Sequence, residues 1–493
     1  MHRPTWMPSL HMGLLSLALC LSAGVQQGYL VAVLNQPYIH IEQFINETIH
    51  ERVSVHPSRY SLDMLWSSLN IMFSISCIVG QFVSAWLCRK LGRKGAAIFS
   101  CAMCLPGTLL SSFAAPARSF ELLFLGRILW SLGNGINNVV ATVWVVECAP
   151  RAIRGSMVSM QEFSIAIGSL IVQTAGIPFS TADTWPMIFI PNVPLVLIAT
   201  LLLFLVPDSP QAIMDRENKL DKARAALAKY HGVPVDCPSL HDEFALTQPK
   251  PKTGTGEKKR GIKWIFNPCI KDEHIRVVQQ AAWLGVIVKL AYAFTGARCL
   301  RSYSTFVLHS LSYFSYEAAN VCSWVVAVLR IPATFFPVVM VDRLGRRTLL
   351  NLSLFVSVLA LAAMMVTPAL GEDFRYATFA SFTLLLLVVA AGVGSVARFY
   401  AAELVPRSLL LETTATLAAL EVFLRIIVDF SFYPVANVIG IYSYLLFLVP
   451  SLGFLYVCWA MCPETAGRNV YQVLTDIAGR KKLNVEFTAD TKF

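Results

Sequence analysis

Glu162, Lys289, Arg298, Arg398, Glu421 and Arg425 are charged residues that stand inside apolar runs of this 493-residue chain. A charge at membrane depth costs on the order of 2.5–3.5 kcal/mol by insertion scales, so each is a functional candidate by default. Four are positive and two negative. A cavity holding all six would favour an anion, such as a sugar acid or another small organic anion. Glu421, Arg425 and Asp429 are also spaced i, i+4, i+8, so they can form a ladder along one helix and neutralise one another. Both readings are open: a charged solute, or a neutral polyol bound through water and backbone.

A second charged group is duplicated. Arg89-Lys90-Leu91-Gly92-Arg93-Lys94 returns 253 positions on as Arg343-Leu344-Gly345-Arg346-Arg347. Pro207-Asp208-Ser209-Pro210 recurs as Pro463-Glu464-Thr465, and Glu147 with Arg151 as Glu403 with Arg407, each 256 positions on. Arginine and carboxylate at helix ends can pair bidentately. The expected pairing, in an outward-open state, sets Arg93, Arg154, Arg343 and Arg347 against Glu147, Asp208, Glu403 and Glu464 across the two halves of the duplication, with Arg127 in the same group. Such pairs either gate the molecule or only anchor helix ends in the headgroup zone.

The elements that must position these groups are membrane helices. The chain is 56% apolar and 14% charged, against about 25% charged in soluble domains. Twelve apolar runs of spanning length are expected, numbered here as spans 1–12: 10–34, 64–87, 95–115, 121–147, 154–176, 186–206, 275–308, 317–341, 348–368, 376–402, 409–437 and 441–461. Lys and Arg collect in alternate loops (88–94, 151–154, 211–276, 343–347, 407 and 468–482), which sets those loops and both termini on the cytoplasmic side. The expected class is an all-α membrane protein, twelve helices in two six-helix pseudo-symmetric halves. Its expected parts are residues 1–210, a cytoplasmic segment 211–274 containing an amphipathic helix at 220–227 and a basic linker at 250–260, residues 275–467, and a short polar tail 468–493. Duplicated halves of this kind rock about one central site.

The net charge of +10 is explained by those loops and does not imply nucleic acid. Neither a metal-ligand spacing nor a Ser-His-Asp order stands out, so no enzyme chemistry and no cofactor is expected. The expected partners are a small-molecule solute and membrane lipid. Asn46-Glu47-Thr48 in the expected extracellular segment 35–62 is an N-glycosylation acceptor.

The chain resembles the sugar porters of the major facilitator superfamily and, among them, the animal facilitative glucose transporters. The resemblance rests on an ordered series at the span ends: Gly28-Tyr29, Leu65-Trp66-Ser67, Gly92-Arg93-Lys94, Gly126-Arg127, Glu147 with Arg151 and Arg154-Gly155, Asp208-Ser209-Pro210, Asp342-Arg343-Leu344-Gly345-Arg346-Arg347, Glu403-Leu404 and Pro463-Glu464-Thr465-Ala466-Gly467-Arg468. It implies the major facilitator fold and makes the duplicated charged motifs a cytoplasmic gate.

The substrate positions depart from the family. Sugar sites use amides and aromatic faces, because an amide both donates and accepts and so matches a hydroxyl. In span 7 the family carries Gln-Gln-Leu-Ser-Gly-Ile-Asn before a Tyr-Ser-Thr segment. Here Tyr292-Ala293-Phe294-Thr295-Gly296-Ala297-Arg298 precedes Ser302-Tyr303-Ser304-Thr305. The resemblance aligns the family's span 5 glutamine with Glu162, its span 10 tryptophan with Arg398, and its span 11 asparagines with Glu421 and Arg425. Gln26 and Gln173 are retained, Lys289 adds a charge, and Tyr303 is expected as a gate beside a helix break at Gly296. Proton-linked relatives have an Asp where this chain has Leu30, which implies uncoupled transport.

The expected function is facilitative movement of a hexose or hexose-like solute across the plasma membrane by alternating access. The alternatives are an organic-anion or sugar-acid carrier, or a non-transporting sugar sensor.

Overall fold

A computed structural model describes residues 9–54, 57–150, 154–217, 219–235, 237, 273–404, 407–465, 468 and 470–480. The described secondary structure is helical throughout. Seven stretches among the described residues are long and apolar enough to cross a membrane. Two of these, Arg59–Phe113 and Val422–Met461, run 55 and 40 residues. At about 1.5 Å per residue each suffices for two crossings. Every expected span coincides with a described helix or helical run. The chain divides into two compact units, Met1–Gly254 and Thr255–Phe493, so the boundary falls inside the expected cytoplasmic segment.

Polarity is arranged for lipid in both units. Ser67, Ser84, Ser100, Ser131, Asn134 and Asn192 are fully buried, whereas Phe82, Phe204, Val438, Tyr456 and Trp459 are exposed. With lipid outside, apolar contact between helices drives nothing; small residues bring backbones close and hydroxyls bond across helices. Spans 1 and 5 meet this way. Gly24 and Gly28, one GxxxG step apart, lie against the backbone of Gln161 and Ile165, and Gly168 lies against Val25. A Cβ at any of the three would collide with a main-chain carbonyl.

Helix ends follow local rules. Spans 2 and 3 form one helical run that turns at Gly92, and spans 8 and 9 are separated by Gly345. Both glycines have positive φ, 77° and 81°. Span 7 breaks twice, giving helices Glu273–Phe294, Ala297–Ser302 and Ser304–Ser310, with Gly296 at φ 71° in the first break. A Cβ on Gly296 would lie 2.6 Å from the Phe447 ring. The amphipathic segment after span 6 is a helix over Leu220–His231, ended by left-handed Gly232.

Two segments outside the expected spans are helical. Tyr38–Val53 forms a helix within the segment 35–62 expected to be extracellular, tied down by Arg52–Glu121, by Arg118–Glu51 at 2.9 Å and by Arg59–Glu42 at 2.6 Å. Asn46 is half-buried on it, and the Thr48 hydroxyl donates to the Phe44 carbonyl at 2.7 Å. The polar tail holds a second helix, Val470–Arg480, burying Val473, Leu474, Ile477 and Ala478. Their i, i+1, i+4, i+5 spacing is one helical face, packed against spans 7 and 10. The basic linker 250–260 lies outside the described residues.

Candidate functional site

The duplicated charged motifs build the same clasp once in each unit. In the first unit the Asp208 carboxylate accepts the backbone N–H groups of Lys94 (3.0 Å) and Ser209 (2.8 Å). The Lys94 ammonium donates to the last carbonyls of span 6, Phe204 and Val206, at 2.9 Å each. In the second unit Glu464 accepts the N–H groups of Arg346 (2.8 Å), Arg347 (3.0 Å) and Thr465 (3.0 Å). The Arg347 guanidinium donates to the Trp459 carbonyl near the end of span 12 at 2.7 Å. A carboxylate thus caps the N-terminus of span 3 or 9, and a base caps the C-terminus of span 6 or 12. The adjoining prolines match as well: Tyr230 donates to the Pro207 carbonyl, and Tyr400 to that of Pro463 at 2.6 Å. Burial pushes the Tyr230 phenol well above its usual range, keeping it a neutral donor.

The described pairing is of a different kind from one made across the halves. Arg93 bonds Glu147 at 2.6 Å inside the first unit, with Asp215 at 3.6 Å and Ser209 also donating to Glu147. Glu464 is held by main-chain N–H groups, and the Arg347 guanidinium goes to a carbonyl. The described contacts of these residues close within one unit because the turn after span 2 or 8 lies beside the end of span 6 or 12. Arg127 does not belong with them. It is buried 20 residues before Glu147 on the single helix Phe120–Cys148, about 30 Å away at 1.5 Å per residue. The side chains of Arg154, Arg343 and Glu403 lie outside the described residues.

Gln26 is engaged inside the first unit. Its amide nitrogen donates to Asn192 Oδ1 at 2.8 Å, and its oxygen accepts from Trp130 Nε1 at 2.8 Å. Asn192 donates onward to Thr108 at 2.9 Å. The network joins spans 1, 4, 6 and 3 and is buried throughout. Gln173 differs: it is 2% exposed and its Oε1 has no hydrogen-bond partner. Asn134 in span 4 is fully buried with neither amide atom bonded. The sequence pointed to it only as a polar residue inside a span, between Gly133 and Gly135.

In the second unit the span 7 break brings charges together. Arg298 Nε donates to the Tyr292 hydroxyl at 2.9 Å, and its guanidinium lies 4.5 Å from the centre of the Tyr292 ring. The charges acting on Tyr292 are Arg298, Arg301 and Arg330. Arg330 comes from span 8; neither it nor Arg301 was among the expected site residues. Arg425 and Asp429 on span 11 form the described rung of the expected ladder, at 4.0 Å. Asp429 also interacts with Cys299, Arg298 and Arg301. Lys289 is half-buried one and a half turns before the break. Tyr303 is buried, 5.6 Å from the Phe432 ring and 5.7 Å from Tyr433, in an aromatic cluster. The side chains of Glu162, Arg398 and Glu421 lie outside the described residues.

Membrane-length helices in two duplicated units, with amides and guanidiniums at span depth, define a multi-pass membrane transporter of the major facilitator fold. The family profile described as "Sugar (and other) transporter" matches residues 16–476, and the chain belongs to that family. It is 26% identical over 474 residues to Facilitated glucose transporter protein 1 of Caenorhabditis elegans, covering 93% of this chain and 89% of that protein. It is 28% identical over 460 residues to solute carrier family 2, facilitated glucose transporter member 4 of Bos taurus, covering 91% and 87%. Among solved structures, the inward-open xylose transporter XylE of E. coli superposes with a TM-score of 0.75 at 17% identity, over 94% of this chain and 99% of that one. That likeness carries the fold.

Proposed function

We propose that this protein is a facilitative transporter of a hexose or hexose-derived solute, working by alternating access in the plasma membrane with both termini cytoplasmic and Asn46 glycosylated. The observation that carries the reading is the family match over 16–476, and its relatives are facilitated glucose transporters by name. Alternate clustering of Lys and Arg supports the orientation. The wholly buried, apolar Leu30 offers no proton acceptor at the position where proton-linked relatives carry an Asp, and so supports uncoupled transport. Residues 1–210 and 275–467 are the two transporting halves in this reading, with 211–274 as their connector.

Labelled glucose uptake into proteoliposomes tests it. The expected result is saturable uptake that neutral sugars block and that a pH gradient does not drive. Uptake that requires the gradient would overturn the uncoupled mechanism.

The two retained glutamines separate fold from function. Gln173 has an unused acceptor matched to a sugar hydroxyl, so Gln173→Leu is expected to raise KM roughly 10-fold, the worth of one or two hydrogen bonds, with thermal stability held. Gln26→Leu strands the Trp130 donor and the Asn192 acceptor and is expected to cost on the order of 2–4 kcal/mol of stability. Comparing Tm and KM for the pair checks both. Unchanged KM in a stable Gln173→Leu protein would remove Gln173 from the site.

A further inference from the structure

The second unit carries a groove between spans 9 and 12. Its volume is about 580 Å³, and its walls include Thr348, Asn351 and Phe355 of span 9 and Leu452, Tyr456 and Trp459 of span 12. That volume falls in the roughly 300–1,000 Å³ range of small-molecule sites. The start of span 9 lies beside the end of span 12, where the Arg347 guanidinium reaches the Trp459 carbonyl at 2.7 Å. The groove therefore has one end at the Gly345 turn. Phe355 and Leu452 lie about 10 Å farther into the membrane, seven residues on at about 1.5 Å each. Phe355, Leu452, Tyr456 and Trp459 are all exposed, as side chains facing lipid are.

The two ends of the groove differ in chemistry. The deep end is hydrocarbon and aromatic. The end at the turn offers donors: the Thr348 hydroxyl, the Arg347 guanidinium at the rim, and Asn351 one turn farther in. Asn351 is half-buried, with Oδ1 turned inward and without a hydrogen-bond partner among the described residues. The edge it offers the groove is the amide N–H edge. The turn is also positive: residues 342–347 hold three arginines and one aspartate, and Glu464 brings a second carboxylate, which sums to +1. Glu464 is itself committed to three main-chain N–H groups. Tyr456 and Trp459 supply amphipathic rings of the kind found at headgroup level. A positive, donor-rich end above an apolar slot complements an amphiphile whose head is anionic and rich in acceptors, as phosphate and ester oxygens are. A sterol brings one neutral hydroxyl and leaves the charge of the turn unmatched.

We propose that this groove binds one anionic phospholipid, with its phosphate against Arg347, Thr348 and Asn351 and one acyl chain between Phe355 and Leu452. The orientation proposed above puts the polar end in the cytoplasmic leaflet, where anionic lipids are concentrated. The leaflet rests on that orientation; binding of the lipid in detergent does not. A lipid held there touches both spans beside the Glu464 clasp, so its binding stabilises the second unit by mass action.

The test is native mass spectrometry of the full-length protein in detergent micelles, titrated with phosphatidylserine, with phosphatidylcholine of the same acyl chains, and with cholesterol. Thermal stability is measured alongside. The expected result is retention of one phosphatidylserine about 5-fold more tightly than phosphatidylcholine, the worth of one unit charge at a membrane surface, with a rise in Tm. Asn351→Leu should weaken phosphatidylserine binding about 10-fold, the worth of one hydrogen bond to a charged group. Leu452→Trp, which fills the groove from an exposed position, should abolish retention of both phospholipids while the lipid-free protein keeps its Tm. Should Leu452→Trp fail to fold, Asn351→Leu carries the test. Equal retention of the two phospholipids would overturn the anionic assignment. Phosphatidylserine binding unchanged in Asn351→Leu would remove the lipid from this groove. Displacement of phosphatidylserine by cholesterol, or a dimer that Leu452→Trp dissociates, would give the groove another occupant and overturn the proposal. Sugar uptake tests the transport reading by a separate readout, so either can fail alone.

Discussion

Arg93→Ala is expected to destabilise the first unit by about 3 kcal/mol, the lower end of the cost of breaking a buried ion pair. The pair is mostly buried, with 12% and 15% of the Arg93 and Glu147 side chains exposed. Removing the arginine leaves the Glu147 carboxyl group largely desolvated and held by Ser209 alone among its described partners. Replacing both residues by leucine should recover much of the loss, because an apolar pair of similar volume avoids the desolvation of two ions. Thermal unfolding of the purified protein, followed by fluorescence-detected size exclusion, reads both variants. The location of the pair inside one unit makes this a folding effect. An unchanged Tm with altered transport rates in Arg93→Ala would show instead that the pair acts on the conformational cycle.

Gly92→Ala is the second large effect expected. Gly92 has φ 77° and ψ 178°, a region of backbone space open essentially to glycine alone, and a side chain there costs on the order of 1–3 kcal/mol. The new Cβ would also run into the Asp208 carboxylate and lie 3.0 Å from Arg216 Nη1. Asp208 would have to withdraw from the Lys94 N–H, removing a helix cap worth about 0.5–2 kcal/mol. The combined loss, roughly 2–5 kcal/mol, should appear as reduced yield and lower Tm. Gly345→Ala should behave alike, since its Cβ would stand 2.7 Å from Glu464 Oε2. Gly13→Ala is the control: it lies inside a helix with nothing within 4 Å of its Cβ position and should be neutral or stabilising by up to about 1 kcal/mol. Equal behaviour of Gly92→Ala and Gly13→Ala would refute the clasp.

Much of the fold was legible in the chain because membrane helices report themselves through length and apolarity. The twelve runs needed no tertiary information, and the alternation of basic loops gave an expected orientation. Gly92 and Gly345 were visible as a repeat, though their backbone angles were not. Two polar segments gave no helical signal in the sequence. Tyr38–Val53 and Val470–Arg480 carry too few apolar residues to show as spans, and their helices are stabilised by packing and ion pairs on neighbouring elements.

The candidate site was legible only in part. Gln26 and Gln173 look alike as retained amides, yet one is engaged by Trp130 and Asn192 and the other keeps a free acceptor. Arg330 met the same criterion as Lys289, a charge inside an apolar run, and was missed because attention stayed on spans 5, 7, 10 and 11, where the family's site positions align. Arg127 was grouped with Glu147 by motif, although one straight helix sets them about 30 Å apart.

The sequence by itself determined the number of crossings, the duplication and the membership of the sugar transporter family, since each depends on composition, spacing or matched motifs along the chain. Only the tertiary structure decided which partner each polar group takes. Arg93 meets Glu147 across 54 positions, Arg346 meets Glu464 across 118 and Gln26 meets Asn192 across 166. Such pairings are set by how helices pack side by side, a distance in space that no periodicity along the chain encodes.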